Sequence, residues 1–285
     1  TNGTVTGTGN TVTYTAPAVE GTFTVTATSN ADASKKAGVS VQVSEGASGL
    51  ERWVRQFGAH QTDEAAGVVL SSNGTVIAAG TSEWTVPGGT RVCKDDAFLV
   101  AFDADGEDAW VVQFGSLEDD EAVGVAIGSD DGVVVAGHTY GLIGAASVGL
   151  SDAFIAKYAA DGTPVWVTQF GTTNYDWPSA VTVDGSGNVI VVGVTQGLFP
   201  GETKPSALDG FVAKFDVDGN QQWVTQFGPG VEVMVEDVAV AADGSIYLVG
   251  DTDAAMPGNT VVGDTDGFLA RFDPDGEAEW YIHIG

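Results

Sequence analysis

An all-β chain made by stacking one unit of short strands on copies of itself is what this sequence predicts, on three observations. A tryptophan opens nearly the same strand five times: W-V-R-Q-F-G at Trp53, W-V-V-Q-F-G at Trp110, W-V-T-Q-F-G at Trp166 and Trp223, and W-Y-I-H-I-G at Trp280. Successive tryptophans stand 57, 56, 57 and 57 residues apart. A fixed period of this size marks one supersecondary unit repeated along the chain. Between them, runs of four to seven apolar, β-branched residues end at Gly, Asn or Asp turns, which is the texture of short hairpin-linked strands.

Residues 1–46 differ from the rest. T-V-T-Y-T-A-P-A (Thr11 to Ala18), G-T-F-T-V-T-A-T-S (Gly21 to Ser29) and V-S-V-Q-V (Val39 to Val43) alternate β-branched and polar residues, as half-buried antiparallel strands do. This run resembles the C-terminal half of a bacterial immunoglobulin-like domain. A whole sandwich of that kind needs about 100 residues, so the resemblance implies that its first strands are missing or come from a neighbour. The S-E-G-A-S-G run from Ser44 is a linker signal. The expected organisation is therefore a partial immunoglobulin-like domain (1–46), a linker (47–50) and the repeats (51–285).

From residue 51 the repeats align strand by strand. After each Trp strand comes a second (Ala65 to Leu70, Ala122 to Ile127, Ser179 to Val183, Asp237 to Val240), then a third ending at Gly80, Gly137, Gly193 or Gly250. A variable stretch leads to the fourth, D-A-F-L-V-A-F, D-A-F-I-A-K-Y, D-G-F-V-A-K-F or D-G-F-L-A-R-F, and a turn ending in Asp-Gly returns to the next tryptophan. Four short strands per unit at this period form the blade pattern of a β-propeller. W-x-x-x-x-G, an acidic residue before the second strand, G-N-x-x-V-x-G and D-A-F-x-A-K-F-D-x-D-G are the motifs by which residues 51–285 are similar to the bacterial β-propeller repeat family. Counted from tryptophan, there are four full units and the first strand of a fifth. One Trp strand is surplus, and an uncovered edge strand invites pairing with another chain. A longer propeller cut short, a four-bladed ring with a spare strand, and an open array completed by other subunits all satisfy that count.

Composition narrows the partners. The chain of 285 residues holds 39 acidic and 10 basic residues, for a net charge of −29, and residues 1–50 contribute only three acids and two lysines to it. Nucleic acid and anionic membrane are disfavoured, because phosphate recognition needs clustered Lys and Arg. Cations, a salty medium or a basic partner fit better. No apolar run approaches the roughly 20 residues that span a bilayer. Cys93 is the single cysteine, which excludes an intramolecular disulfide scaffold and a cysteine-based zinc site. No leader segment precedes Thr1 in the sequence, so the chain reads as processed or as a piece of something longer.

The acidic turns carry two readings. Asp103 and Asp105, Asp216 and Asp218, and Asp273 and Asp275 sit two apart before a glycine, a spacing that suits calcium, which takes oxygen ligands from flexible turns. The same Asp-Gly pairs form type I′ hairpin turns without any ion. None continues into a full calcium loop, and the second unit keeps only Ala160-Asp161-Gly162. The fourth unit gathers Asp251, Asp253, Asp264 and Asp266 in one variable stretch, the best place for calcium if a loop binds it. Asp96, Asp152, Asp209 and Asp266 recur in register before the fourth strand, while Asp63, Asp120 and Asp176 recur five residues after the repeat glycine. A residue needed once per blade is expected to cap turn amides.

Catalytic frames are missing from the sequence: His60, His138 and His283 are scattered, and no nucleophile motif accompanies them. The stretches after the third strand break the repeat instead. They carry Trp84, Tyr140, Leu142, Ile143, Leu198, Phe199 and Met256, which either pack under their own loops or form a patch for a partner. The family resemblance and the tandem design imply a non-enzymatic extracellular or cell-surface module for structure or adhesion. It would contact proteins or copies of itself through rim loops and incomplete β edges. A carbohydrate- or ligand-binding propeller is the alternative, and a polysaccharide-active enzyme a more distant one.

Overall fold

The structure is a computed structural model. It describes residues 52–144, 148–202, 207–228, 232–260 and 264–284, and the backbone of the strands Thr4–Thr6, Thr11–Thr15, Gly21–Thr28 and Lys36–Val43. The chain divides into two compact units, Thr1–Phe57 and Gly58–Gly285. Among the described residues no helix is long and apolar enough to cross a membrane.

In the first unit, β1 (Thr4–Thr6), β2 (Thr11–Thr15) and β5 (Arg52–Arg55) form an antiparallel sheet in that order, with Thr13 opposite Trp53. Strands β3 (Gly21–Thr28) and β4 (Lys36–Val43) pair with each other. The first of the five tryptophan strands thus belongs to this unit, beside β2. Sandwich packing of residues 1–46, the immunoglobulin-like expectation, lies outside the described residues.

The second unit is four antiparallel four-stranded sheets, the blades of a β-propeller-type array. The first holds β6 (Asp63–Leu70), β7 (Val76–Ser82), β8 (Asp96–Phe102) and β9 (Asp108–Phe114); the second holds β10 (Asp120–Ile127), β11 (Val133–Thr139), β12 (Asp152–Tyr158) and β13 (Pro164–Phe170). The third holds β14 (Asp176–Val183), β15 (Val189–Thr195), β16 (Asp209–Phe215) and β17 (Gln221–Phe227), and the fourth β18 (Val233–Val240), β19 (Ile246–Thr252), β20 (Asp266–Phe272) and β21 (Ala278–Ile284). The strand that opens each sequence repeat closes each sheet. The cause is the Asp-Gly turn: it is too tight to do anything but fold the Trp strand back beside the D-x-F strand, whereas the glycine after Q-F leads across to the next sheet. The strand of Trp280 accordingly completes the fourth blade.

Each blade's first strand adjoins that of the next, β6 beside β10, β14 and β18 in turn. Every one carries a bulge at the same place, between Ala65 and Gly67, Ala122 and Gly124, Pro178 and Ala180, and Val235 and Asp237. A bulge adds local twist, which a sheet in a propeller needs. Apolar cores lie between blades. One joins Ile77, Leu99 and Ala101 to Val133, Phe154 and Tyr158; a second joins Val134 and Ile155 to Val191, Phe211 and Phe215; a third joins Val192 and Val212 to Leu248, Phe268 and Phe272. Strands β11 and β15 are buried along their whole length because both faces are covered, whereas β20 alternates buried and half-buried residues.

Candidate functional site

The turn that ends each D-x-F strand explains two of the repeated motifs together. Gly106, Gly162, Gly219 and Gly276 have φ of 78°, 82°, 80° and 88°, while no aspartate of these turns has a positive φ. A type I′ turn requires positive φ at both central residues, so the type I′ expectation is replaced by a type I turn closed by a left-handed glycine. The backbone bonds agree: Gly106 N donates to Asp103 O and Asp103 N to Glu107 O. The first aspartate of each turn accepts the following amides, Asp103 Oδ1 from Asp105 and Glu107 at 3.0 and 2.9 Å, and Asp273 Oδ1 from Asp275 and Glu277 at the same distances. Asp216 takes both the amide and the side-chain amide of Asn220, whose side-chain bond holds its carboxyl below the usual range.

In Asp103 and Asp273 the turn's own amides engage Oδ1, and in Asp216 the donors of Asn220 engage both carboxylate oxygens. The second aspartates, Asp105, Asp218 and Asp275, point into solvent singly. In the fourth unit Asp253 Oδ1 accepts Glu232 N at 2.9 Å, Asp264 is exposed, Asp251 is half-buried on β19, and Asp266 is buried against His283 Nδ1 at 3.1 Å. Among the described residues no three His, Cys, Asp or Glu side chains gather where they could hold a metal ion.

On its other side the turn receives the previous blade's tryptophan. Trp110 Nε1 donates to Ala160 O and Trp166 Nε1 to Val217 O, each at 3.0 Å. The indole rings lie on the turn glycines so closely that a Cβ would come within 2.8 Å of Trp110 at Gly162, 2.8 Å of Trp166 at Gly219 and 2.7 Å of Trp223 at Gly276. Thr168 and Thr225 hydroxyls donate to Gly219 O and Gly276 O. Two residues past the threonine, the Q-F phenylalanine meets a pair of rings four apart on the next blade. Phe114 lies 6.0 Å from Phe154 and 5.4 Å from Tyr158; Phe170 lies 6.1 Å from Phe211 and 4.8 Å from Phe215; Phe227 lies 6.4 Å from Phe268 and 5.2 Å from Phe272. Such pairs contribute about 0.5–1.5 kcal/mol each beyond burial.

The recurring aspartates complete this joint. Asp152 Oδ2 and Oδ1 accept the amides of Val148 and Gly149 at 2.7 and 2.8 Å, and Asp96 holds those of Val92 and Cys93. Asp176 accepts Thr172 N at 2.6 Å, Thr172 Oγ1, and Thr195 Oγ1 at 2.5 Å, so it ties the end of one blade to the start of the next. Asp63 and Asp120 accept the amides of Ala59 and Ser116 in the same way. A Cβ on Gly171 would stand 2.5 Å from Asp176 Oδ2 and 3.1 Å from Asp152 Oδ1, so two buried carboxylates flank that glycine. Burial pushes Asp176 up to about 6, with the charge of Asp152 adding to it; burial raises Asp120 in the same way.

The glutamine of Q-F-G carries a role that the sequence reading did not assign to it. Gln169 Nε2 donates to Asp152 Oδ2 at 2.7 Å and Gly141 O at 3.0 Å, while its Oε1 accepts Ile143 N at 3.0 Å. Gln113 holds Val86 N and Trp84 O in the first blade, and Gln226 holds Phe199 N and Gly197 O in the third. His283 replaces it in the fourth, accepting Met256 N at 3.2 Å. This clamp draws one apolar residue of each variable loop inward. Phe199 and Met256, expected as contact residues, are buried to within 2% of full exclusion, Phe199 against Phe211 at 5.5 Å, and Ile143 packs on the first joint. Trp84, Tyr140, Leu142 and Leu198 remain exposed. Arg91 covers one face of Trp84 at 5.0 Å, and Tyr140 meets the edge of His138. His138 is buried, which pulls its pKa down to about 4 and leaves it neutral near pH 7.

A comparison with known families agrees with this architecture. Residues 165–200 match a family model described as a beta-propeller repeat, a span running from the second blade's tryptophan strand into the loop of the third. The chain thus carries a β-propeller repeat. The Regulatory protein FlaEY of Caulobacter vibrioides is 30% identical over 188 residues, covering 59% of this chain and 19% of that protein. The chain therefore spans about a fifth of that relative's length. Among solved structures, a protein of unknown function from Bacteroides caccae aligns over 83% of this chain and 86% of its own, at 11% identity and a TM-score of 0.43. A gluconolactonase of Xanthomonas campestris aligns over 74% and 62%, at 13% identity and a TM-score of 0.41.

Proposed function

We propose that this chain is a non-enzymatic module of an extracellular or cell-surface protein, serving structure or adhesion through protein–protein contact. One observation carries the reading. The residues that repeat are spent on turns and blade joints, whereas Trp84, Tyr140, Leu142 and Leu198 stand exposed in the variable loops of the first three blades. Variable, partly apolar loops on a rigid scaffold are where binding surfaces are built. The acidic composition and the near-absence of cysteine accord with export. Buried ionisable groups at the joints are held by backbone amides, a structural employment that leaves them few bonds for chemistry. The test is adhesion of beads coated with the chain to bacterial cells. Replacing Trp84, Tyr140, Leu142 and Leu198 together by alanine is expected to abolish adhesion while unfolding curves stay unchanged. Equal adhesion by both proteins would overturn the rim assignment.

A carbohydrate-binding reading is favoured by the exposed rings of Trp84 and Tyr140, since flat aromatic faces stack on sugars. A glycan array separates the two: sugar-specific binding lost in Tyr140→Ala would move the assignment to a lectin-like module.

A further inference from the structure

Acidic side chains collect at one end of the first two blades. Asp63 of β6 stands opposite Ser82 of β7, and Ser82 opposite Asp96 of β8, so Glu64, Glu83 and Asp95 lie at one end of that sheet. Asp120 N donates to Asp95 O at 2.9 Å, which brings Asp119 and Glu121 of the second blade to the same rim. Burial and the charges of Glu64 and Asp119 push the Glu121 carboxyl up; burial and the charges of Asp119, Glu83 and Glu121 do the same to Asp95, with Arg91 opposing. The chain's own cations at this rim are engaged. Lys94 pairs with Glu118 and stands 4.0 Å from Asp119, while Arg91 covers Trp84 and donates to Lys94 O at 2.8 Å. Among the described residues no lysine or arginine forms an ion pair with Glu64, Glu83, Asp95 or Glu121.

A group of carboxylates is ordinarily a solvated face and nothing more. His138 sets this one apart. Its side chain is only 10% exposed, Nε2 is turned toward Glu121 with 3.8 Å to Oε2, and Nδ1 is enclosed without a hydrogen-bond partner. The first blade shows what that register does elsewhere: the Thr81 hydroxyl oxygen accepts Ala122 N of the next blade at 3.0 Å. At the place of Ala122 the third blade has Pro178, which has no N–H to give. With its proton on Nδ1, the neutral imidazole offers the Nε2 lone pair beside a carboxylate that lacks a cation. Two acceptors 3.8 Å apart can share one donor nitrogen placed about 2.9 Å from each. Trp177 takes the place of Glu121 on the neighbouring inner strand, stacked on Tyr175 at 5.1 Å, and an aromatic face beside carboxylates favours a cation. Among the described residues no three of these groups converge closely enough for a metal ion, so the charge suits a larger, organic cation.

We propose that Glu121 and His138, together with Glu64, Glu83, Asp95 and Asp119, bind a lysine or arginine side chain on a basic segment of a partner protein. The proposal rests on the protein-contact reading above and names the chemistry of that partner. One ammonium or guanidinium group bridges His138 Nε2 and the Glu121 carboxylate, and further basic residues of the segment meet the remaining acids. The bound cation also offsets the repulsion that crowding builds into this rim.

Fluorescence anisotropy with a labelled, end-capped tetralysine peptide tests this on the full chain, in about 0.15 M sodium chloride, where exposed charges more than about 8 Å apart are largely screened. The expected result is saturable binding that Glu64→Gln, Asp95→Asn and Glu121→Gln together weaken by about tenfold or more. These substitutions relieve repulsion, so the fold is retained, which circular dichroism checks. Asp105→Asn, Asp218→Asn and Asp275→Asn remove the same charge from exposed turns at the other end of the blades, a seven-residue strand away. They are expected to leave the affinity within about twofold. No binding, or equal losses in the two triple variants, overturns the site, the second outcome because net charge alone would then attract the peptide. By NMR the peptide is expected to shift the ring resonances of His138 and not those of His283, which Met256 N and Asp266 hold. Binding that leaves His138 unmoved removes it from the site. Adhesion to cells that survives the first triple variant would refute this site and spare the rim reading; peptide binding by a chain that adheres to nothing would do the reverse.

Discussion

Trp166 donates its indole N–H to the carbonyl of Val217 across 3.0 Å, from the outer strand of one blade to the hairpin turn of the next. That bond links two sequence motifs 51 residues apart, and its neighbours account for the rest of the repeat. The tryptophan needs a glycine beneath it, the phenylalanine needs two rings, and the glutamine needs a carboxylate.

Gly219→Ala is expected to destabilise the protein by about 2 kcal/mol or more. The substitution forces alanine to a φ of 80° and sets a Cβ 2.8 Å from the Trp166 ring. Urea unfolding measures it, with Gly201→Ala as the comparison: φ is 94° there, but nothing lies within 4 Å of the added carbon. Backbone strain is then common to both, and the larger loss at Gly219 reads the tryptophan contact. Equal losses would remove the contact from the account.

Gln169→Ala should cost about 2–3 kcal/mol, since it removes one of three bonds to the buried Asp152 carboxylate and takes their side-chain partner from the Gly141 carbonyl and the Ile143 amide. The loop at 141–144 is expected to become sensitive to protease at the same time. Gln222→Ala, whose amide serves an exposed turn, should stay within about 0.5 kcal/mol. Comparable losses for the two glutamines would show that the clamp does not hold the loop.

Stability should respond to pH through Asp176. Its folded pKa, near 6, exceeds the unfolded value of 3.8, so the folded state binds the proton more tightly. For a carboxyl raised in this direction, the contribution is greatest below pH 4 and is lost as pH rises through 6. His138 works oppositely over an overlapping window, because its folded pKa of about 4 lies below 6.5 and stability there increases with pH. The informative quantity is therefore the wild-type stability minus that of Asp176→Asn. It should fall by on the order of 2–3 kcal/mol between pH 4 and pH 7. A flat difference would mean that the carboxyl is not raised by its burial.

Calcium and chelator are expected to leave the melting temperature unchanged, because one carboxylate oxygen of each of Asp103, Asp216 and Asp273 is engaged by turn donors. A rise with calcium that Asp103→Asn, Asp216→Asn and Asp273→Asn together abolish would restore a metal to these turns.

Much of the architecture was legible because the period is nearly constant and the turns are marked by glycine. The placing of β7, β11, β15 and β19 follows from their apolar runs before Gly80, Gly137, Gly193 and Gly250. The phase of the blades was not legible, since a cyclic repeat reads equally well from any strand and only hydrogen bonding shows that Trp280 ends a sheet. Turn type was hidden for a local reason: Asp-Gly allows both type I′ and type I with a left-handed glycine, and the flanking register chooses. Which loop residues face inward depended on a side chain far along the sequence. Phe199 is drawn in by Gln226, 27 residues later, while its neighbour Leu198 stays out.

The account stands most directly on the contact between blades, and a double-mutant cycle on Phe170 and Phe215 measures it. Their rings are 4.8 Å apart across the joint between the second and third blades. Unfolding free energies of wild type, Phe170→Leu, Phe215→Leu and the double variant should give a coupling of about 1 kcal/mol. A coupling indistinguishable from zero would contradict the claim that the repeated motif exists to join one blade to the next.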